Sequence, residues 1–264
     1  MTDDDAELPA GLFDEPDGYF PPAKPHTVAS YRLLSGEVLS LRLVGHNPLW
    51  GHLLWNAGQV MAEYLERRAE ALVHGRDVLE LGAGAGLPGL VCSLHSAAHV
   101  VVTDYPDADL IDNLRYNIDQ IQHGREISHM HAEGYLWGSD TQAVSSHLGR
   151  SDATFDLLIL ADLLFNHSEH AELVATISKT LKRSRDAQAL VFFTPYRPWL
   201  LEKDLAFFPL AEAADFHVEK RFEKVMDHVM FEHDPGEELL RRTVFGYELR
   251  WNDDALTGAT DGAT

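Results

Sequence analysis

A glycine-rich stretch at residues 77–89, with the sequence DVLELGAGAGLPG, carries the clearest chemical signal in this chain. It predicts a short buried strand, a glycine loop and a helix that follows the loop. Gly82, Gly84 and Gly86 have no Cβ, so a ligand can approach the backbone closely there. The start of the helix offers unpaired N–H groups that suit a carboxylate or a phosphate. The stretch predicts a ligand-binding loop, although many tight strand-to-helix turns have a similar composition.

The spacing of the glycines argues against two common nucleotide-binding loops. The dinucleotide fingerprint G-x-G-x-x-G/A would need glycine or alanine where Leu87 stands. A phosphate-binding loop needs G-K-[ST], and no lysine follows the glycines. What remains is an acidic residue, Glu80, then a spacer and alternating glycines. This order resembles the first motif of the seven-strand, S-adenosylmethionine-dependent methyltransferases, whose fold is related to the Rossmann fold.

The elements around the loop predict a doubly wound α/β sheet. Predicted strands at 77–81, 99–104, 126–131, 155–161 and 189–194 alternate with predicted helices at 87–97, 108–121, 168–181 and 199–214. Two longer strands, at 215–230 and 242–251, would form a hairpin that completes a Rossmann-like sheet of seven strands. Such alternation favours parallel strands with right-handed crossovers. Ligands of these sheets bind at the carboxyl ends of the strands.

Further segments extend the sheet domain, which is predicted to span residues 28–251. Residues 1–27 are acidic and rich in proline, which predicts an extended, partly disordered arm. Residues 28–44 predict a β-hairpin, with a turn at Ser35-Gly36. Residues 52–73 carry the apolar stripe of a long amphipathic helix. The polar tail at 252–264 is expected to be disordered.

The carboxyl ends of the predicted strands select the candidate site residues. Asp104 ends the second strand, where an acid can accept hydrogen bonds from ribose hydroxyls; a surface acid or a helix cap is the alternative. Trp137 follows the third strand and could stack on adenine or anchor the core. Asp162, Asn166 and His167 follow the fourth strand. They could orient an amine and pass its proton to water, or form a helix cap and an ordinary loop.

Six segments together resemble one family: LWGHLLWNAG, VLELGAGAGLPG, VVTDYPDADLIDNLRYN, GYLWG, ADLLFNHSEH and FTPYRPW. They are similar to methyltransferase family 16 over roughly residues 12–251, and within it to fungal members that methylate a protein N-terminus and a lysine. The resemblance implies S-adenosylmethionine as cofactor. It also implies the N-terminal glycine and adjacent lysine of translation elongation factor 1-alpha as substrate. The resemblance implies cofactor contacts at Trp55, Gly82, Ala83, Gly84, Asp104, Trp137 and Ala161. Glu80 and Gly86, the acidic residue and the third glycine of the first motif, are further candidate cofactor-binding residues.

One position departs from the family pattern and bears on the acceptor. Lysine methyltransferases of the broader family carry Asp-x-x-Tyr after the fourth strand, whereas residues 162–165 here read Asp-Leu-Leu-Phe. Phe165 lacks the hydroxyl, so any role of that hydroxyl does not carry over. An amine must be neutral to attack, and at pH 7 this costs about 4.6 kcal/mol for a lysine but about 1 kcal/mol for an α-amine. An N-terminal amine is therefore the easier nucleophile.

Composition limits the functional classes further. The formal net charge of −21 disfavours binding to a nucleic-acid backbone and suits a basic protein partner or simple solubility. The single cysteine, Cys92, excludes an internal disulfide and fits a reducing compartment. There is no signal-peptide pattern and no apolar run of membrane-spanning length. The fifteen histidines show no metal-ligand spacing. A cytoplasmic monomer without metal, membrane or nucleic acid is expected.

Three functions remain open at this point. The first is a protein amine methyltransferase, which the family resemblance and the acidic charge favour. The second is a small-molecule N-methyltransferase, such as one for nicotinamide, which would share every cofactor residue. The third is a non-catalytic cofactor-binding protein, against which the intact glycines and Asp104 argue.

Overall fold

The computed structural model describes residues 25–257, apart from 46, 48, 49, 124, 126–128, 151 and 152. Most of the predicted N-terminal arm and the end of the predicted tail therefore lie outside the described residues. The strands are β1 (Thr27–Arg32), β2 (Val38–Leu43), β3 (Asp77–Leu81), β4 (His99–Asp104), β5 (His129–Gly134), β6 (Leu157–Ala161), β7 (Gln188–Phe193), β8 (Phe216–Val225) and β9 (Thr243–Trp251). The helices are α1 (Asn56–Arg67), α2 (Ala69–Leu72), α3 (Leu87–Leu94), α4 (Ala108–Gln122), α5 (Gln142–Ser146), α6 (His170–Thr180), α7 (Leu201–Leu205), α8 (Phe207–Ala213), α9 (Glu238–Arg241) and α10 (Asp253–Thr257).

Seven of these strands form one sheet, in the order β5-β4-β3-β6-β7-β9-β8. The pairs from β5 to β7 are parallel, whereas β9 is antiparallel to both β7 and β8. This order confirms the Rossmann-like sheet and the final antiparallel hairpin that the sequence predicts. β4 and β5 follow β3 on one side of the sheet, whereas β6 and β7 lie on the other side, so the strand order reverses between β3 and β6. Ligands of such sheets bind at this switch point.

Both faces of the sheet are covered by helices. Along β3, Val78 packs in a hydrophobic cluster with α1, α3 and α4, whereas Leu79 and Leu81 pack in a second cluster with α6 and α8. Side chains alternate between the two faces of a strand, so a strand that is apolar at successive positions is buried on both. The doubly wound arrangement follows from this burial.

The predicted hairpin forms a separate two-stranded sheet of β1 and β2. The side chain of Asn117 on α4 fastens it, accepting a hydrogen bond from the Arg42 N–H at 2.8 Å and donating one to the Arg42 carbonyl at 2.9 Å. The same amide donates to the carbonyl of Ala85 in the glycine loop at 3.0 Å. One buried side chain thus joins the hairpin, α4 and the glycine loop.

Asn117→Ala should lower the free energy of unfolding by about 2–4 kcal/mol, because the Arg42 N–H and the Ala85 carbonyl lose their side-chain partner, whereas the Arg42 carbonyl keeps a hydrogen bond from Asn113 at 2.9 Å. Urea unfolding followed by circular dichroism measures the change. Asp119→Ala, an exposed position on the same helix, is the matched control and should change stability by less than about 0.5 kcal/mol. Equal stability of the two variants would show that Asn117 does not fasten the hairpin.

Two predicted helices are divided in the structure. The helix predicted at 52–73 begins only at Asn56, and it is interrupted at Arg68, whose φ of −122° and ψ of 20° lie outside the helical range. The helix predicted at 199–214 becomes a 3₁₀ turn at Pro198–Leu200 followed by α7 and α8. Pro209 explains this second break, because its nitrogen cannot donate a hydrogen bond back to α7 but is tolerated in the first turn of a new helix.

Two other boundaries differ from the prediction. The third strand of the sheet is predicted at 126–131; residues 126–128 lie outside the described residues, and β5 continues beyond 131 to Gly134, because it pairs with β4 as far as Asp104. The predicted disorder of the tail is wrong for residues 253–257, which form α10. The packing of Leu256 on the second hydrophobic cluster and a hydrogen bond from the Arg183 guanidinium to the Ala255 carbonyl, at 3.2 Å, hold this helix in place.

Three observations bear on the compartment and on metals. Cys92 is fully buried in α3, and this burial raises its pKa. No helix within the described ranges is long and apolar enough to cross a membrane. In the same ranges, no group of three or more His, Cys, Asp or Glu side chains could hold a metal ion.

Candidate active site

A cavity of about 480 Å³ opens at the carboxyl ends of β3, β4, β5 and β6. It therefore lies at the switch point where ligands of doubly wound sheets bind. All the candidate residues chosen from the sequence line it, except Gly86 and His167. The topology thus brings together side chains that are more than 100 residues apart in the chain, such as Trp55 and Asn166.

The glycine loop shapes one wall of the cavity. Gly82 and Gly84 have left-handed φ angles of +58° and +56°, which residues with a Cβ rarely adopt. A Cβ on Gly82 would lie 2.5 Å from Cδ2 of Leu163, whereas a Cβ on Gly84 would meet no atom within 4 Å. Gly84 therefore borders open space at the cavity wall, which is where a ligand can approach the backbone.

The Asp104 side chain is hydrogen-bonded to the glycine loop. One carboxylate oxygen accepts a hydrogen bond from the Gly84 N–H at 2.7 Å, and the other accepts one from the Tyr105 N–H at 2.8 Å. Burial raises the pKa of Asp104 above its ordinary value, and these two hydrogen bonds oppose that shift. The predicted contact with ribose hydroxyls stays a prediction. What the structure adds is that this carboxylate also fixes the conformation of the loop.

Glu80 ties the start of α3 to the sheet. Its carboxylate accepts a hydrogen bond from the Gly89 N–H at 2.8 Å, and its backbone carbonyl accepts one from the Thr103 hydroxyl, also at 2.8 Å. The side chain is buried, and this burial raises its pKa to about 8. Glu80 lines the cavity, and one of its carboxylate oxygens already accepts the hydrogen bond from α3.

Asp162 connects three elements beneath the cavity. One oxygen accepts hydrogen bonds from the Ala57 N–H of α1 at 3.0 Å and the Tyr196 hydroxyl at 3.2 Å. The other accepts one from the Thr194 N–H at 2.7 Å. Burial raises the pKa of Asp162 to about 7, and the backbone of this residue has a positive φ of 57°. The carboxylate holds α1 against the ends of β6 and β7, so it positions the site whether or not it also acts on the amine.

Trp55 lines another part of the cavity wall, and two further aromatic rings pack behind it. The Trp55 ring lies 5.1 Å from that of Tyr196 and 5.9 Å from that of Phe231. The Trp55 indole N–H donates to the Trp50 carbonyl at 3.2 Å, which fixes the ring. Faces of such rings attract cations. Sequence reasoning missed Phe231, which does not line the cavity but supports Trp55, because it lies far along the chain between β8 and α9 and no local pattern marks it.

The structure separates the predicted trio of Asp162, Asn166 and His167. Asn166 lines the cavity, but His167 does not. Nε2 of His167 pairs instead with Asp204 at 2.6 Å, on the side of α7. The sequence could not reveal this, because Asp204 lies 37 residues further on. Glu169, two residues after His167, does line the cavity, and sequence reasoning missed it.

The model of methyltransferase family 16, described as lysine methyltransferase, matches residues 36–213. The chain belongs to this family. The match covers the glycine loop, Asp104 and the residues after β6, and so includes most of the cavity.

Curated relatives of this methyltransferase cover nearly the whole chain. One from Aspergillus fumigatus is 50% identical over 245 residues, covering 92% of this chain and 95% of the relative. Another from Emericella nidulans is 51% identical, covering 92% and 96%. A relative from Schizosaccharomyces pombe is 42% identical, covering 94% and 98%. Each of the three is named a protein N-terminal and lysine N-methyltransferase.

Solved structures confirm the fold of this methyltransferase. The Thermus thermophilus 16S rRNA N2 G1207 methyltransferase, in complex with AdoMet and guanosine, matches with a TM-score of 0.53 at 17% identity, over 86% of this chain and 51% of that one. The YcgJ protein of Bacillus subtilis matches with a TM-score of 0.53 at 13% identity, over 74% and 99%. At these identities the likeness concerns the fold alone.

The cavity of this methyltransferase is acidic. Among its described lining residues are four carboxyl groups, those of Glu80, Asp104, Asp162 and Glu169, and no Lys, Arg or His. Burial raises the pKa of Glu80 to about 8 and that of Asp162 to about 7, so near pH 7 these two groups are partly protonated until a bound cation favours their charged forms. Ionised carboxylates at the wall of a partly closed cavity create a negative potential, because the surrounding protein screens charge less than water does. The site therefore favours ligands that carry positive charge.

Proposed function

We propose that this methyltransferase uses S-adenosylmethionine to methylate the N-terminal glycine and the adjacent lysine of translation elongation factor 1-alpha. The observation that carries the proposal is the acidic, aromatic cavity beside the glycine loop, since both cofactor and acceptor would bring positive charge to it. The names of the relatives, at 42–51% identity over nearly the full chain, support the protein amine as acceptor. We expect a cytoplasmic monomer that acts without nucleic acid.

The residues of the cavity fit the proposed cofactor. Its volume of about 480 Å³ is in the range of small-molecule sites. The open space at Gly84 lets a ligand approach the loop backbone, and Asp104 has further lone pairs for hydroxyl groups. Trp137 lines the same cavity with a face that suits a stacked base. The carboxylates and the Trp55 ring suit a cationic sulfur.

Little acid–base chemistry is needed from the chain. The bound cofactor supplies a methyl group on a positively charged sulfur, so the main task of the protein is to align a neutral amine. Asn166 lines the cavity after β6 and offers hydrogen-bonding groups to that amine. The carboxylate of Asp162 is occupied by three donors, which favours release of the amine proton to water over transfer to this residue.

The opening of the cavity favours a protein acceptor over nicotinamide. Trp50, Tyr105, Leu136 and Phe165 all line the cavity, yet each remains 44–50% exposed. Large apolar side chains grouped at a surface opening are typical of sites that bind a macromolecule. A small aromatic acceptor would not cover them.

The proposal is tested by incubating the purified protein with methyl-labelled S-adenosylmethionine and two acceptors in parallel. One acceptor is unmodified elongation factor 1-alpha with a free N-terminus, and the other is nicotinamide. Peptide mapping should locate the label on the N-terminal glycine and the adjacent lysine. Label on nicotinamide alone would overturn the proposal, and so would label on neither acceptor while calorimetry shows bound cofactor.

Asp104→Ala should weaken cofactor binding at least about tenfold, because the Gly84 and Tyr105 N–H groups lose their charged acceptor. Calorimetric titration with S-adenosylmethionine measures this. Asp109→Ala is the matched control, since Asp109 is an exposed acid in the first turn of α4 outside the cavity. Unchanged affinity in Asp104→Ala would remove Asp104 from the proposed cofactor site.

A further inference from the structure

We infer that Glu169 binds the side-chain ammonium of the lysine next to the acceptor's N-terminal residue while the α-amine is methylated. This inference rests on the proposed function and concerns its acceptor. It makes Glu169 a specificity-determining residue, which selects acceptors with a cation at the second position.

Glu169 lies on the acceptor side of the switch point. The glycine loop, Asp104 and Trp137 follow β3, β4 and β5, on one side of the point where the strand order reverses. Glu169 follows β6, on the other side, in the 3₁₀ turn His167–Glu169 before α6. The cavity extends over both sides, so a ligand that fills the first side leaves Glu169 to the acceptor.

Of the four carboxyl groups in the cavity lining, that of Glu169 is the one without a hydrogen-bond or ion-pair partner among the described residues. Those of Glu80, Asp104 and Asp162 each accept a hydrogen bond from a backbone N–H. Glu169 occupies the N-cap position of α6, but its side chain makes no capping hydrogen bond. It forms no ion pair or side-chain hydrogen bond with any other residue that the structure describes, and it is half-buried. An incoming ammonium would supply the missing partner.

Contacts with neighbouring segments stabilise the turn that carries Glu169, so binding an acceptor there costs less conformational entropy. Nη2 of Arg197 donates to the Phe165 carbonyl at 3.2 Å, and His167 pairs with Asp204. Phe165 itself is 44% exposed and lines the same cavity. The methylene chain of a lysine can lie along such a ring while its ammonium reaches a carboxylate. A neutral or short side chain would gain neither contact in full.

The test is a double-mutant cycle between Glu169→Gln and the acceptor lysine. Recombinant elongation factor 1-alpha with lysine at the position after the N-terminal glycine is compared with the same protein carrying methionine there, which keeps an unbranched chain without charge. With wild-type enzyme, the methionine acceptor should raise the KM for α-amine methylation about tenfold, with little change in kcat. Glu169→Gln should raise the KM for the lysine acceptor by a similar factor and add no further increase for the methionine acceptor.

Glu172→Gln is the matched control. Glu172 also lies in the first turn of α6, so its loss has the same effect on the helix dipole, but it does not line the cavity. It should leave the KM unchanged for both acceptors. Calorimetry should give wild-type affinity for S-adenosylmethionine in both variants.

Independent effects of Glu169→Gln and of the acceptor substitution would overturn the inference, because they would show that the two groups do not interact. An unchanged KM in Glu169→Gln would overturn it as well. Failure of the proposed function has a different signature, namely no α-amine methylation by the wild-type enzyme. In that case, binding of short peptides beginning Gly-Lys and Gly-norleucine to the cofactor-loaded enzyme still tests Glu169, and equal affinities would refute the inference.

Discussion

Gly84→Ala should lose less stability than Gly82→Ala but should lose most of its affinity for S-adenosylmethionine. Both glycines have nearly the same left-handed φ, +58° and +56°, so an added Cβ costs each about 1–2 kcal/mol of backbone strain. They differ in what the Cβ meets. At Gly82 it would lie 2.5 Å from buried Leu163, and overpacking of this kind costs a further ~1–3 kcal/mol.

At Gly84 the added Cβ would project into open space at the cavity wall. It would then occupy volume that the ligand needs, and we expect the dissociation constant for S-adenosylmethionine to rise at least about 100-fold, or ~2.7 kcal/mol. Thermal unfolding without ligand and calorimetric titration separate the two effects. Wild-type affinity in Gly84→Ala would mean that the cofactor does not approach the loop at this point. Similar unfolding temperatures for the two variants would show that Leu163 yields at little cost.

Asp162→Ala should lower the free energy of unfolding by about 3–5 kcal/mol, since it leaves the buried N–H groups of Ala57 and Thr194 without an acceptor. Asp162→Asn should cost less. Asparagine keeps one oxygen for these donors, and it tolerates the positive φ of 57° at this position. Urea unfolding of the three proteins gives the ranking. A stability of Asp162→Ala equal to that of wild type would show that α1 is held by other contacts.

The pH dependence of this difference has a defined sign. Burial raises the pKa of Asp162 to about 7 in the folded protein from its ordinary value of 3.8, so the folded state binds the extra proton between these values. The contribution of Asp162 to stability is therefore full at low pH and is lost as the pH rises toward 7. Wild type should exceed Asp162→Asn by about 2–3 kcal/mol more at pH 5 than at pH 8. A difference that does not change between these two pH values would refute the raised pKa.

The sequence predicted the central strands well and the outer ones less well. β3 and β4 have the predicted bounds because apolar residues at successive positions, Val78-Leu79 in β3 and 100–102 in β4, are buried only between two layers of helices. β5, with the sequence HMHAEG, carries little hydrophobic signal, and its register is determined by pairing with β4. A hydrophobic pattern predicts whether a segment is buried, but it does not predict the neighbouring strand that sets the register.

In the site, likewise, the sequence predicted which residues line the cavity better than it predicted their hydrogen-bond partners. The rule that ligands bind at the carboxyl ends of strands selected Asp104, Trp137 and Asn166, all of which line the cavity. The partners of the candidate side chains were not predictable, because they come from distant segments. Asp162 receives its hydrogen bond from Ala57, 105 residues earlier. Such contacts depend on the packing of α1 against the sheet, which no local pattern encodes.

The position of β9 has a consequence for synthesis on the ribosome. Among the described residues β9 is the last strand in chain order, but it lies inside the sheet between β7 and β8, and within the same residues β8 pairs with no other strand. A nascent chain that has emerged only as far as β8 therefore has an open edge on β7 and an unpaired strand beside it. The sheet closes only after residues 243–251 leave the exit tunnel, so a premature stop before Thr243 would yield a product prone to aggregation.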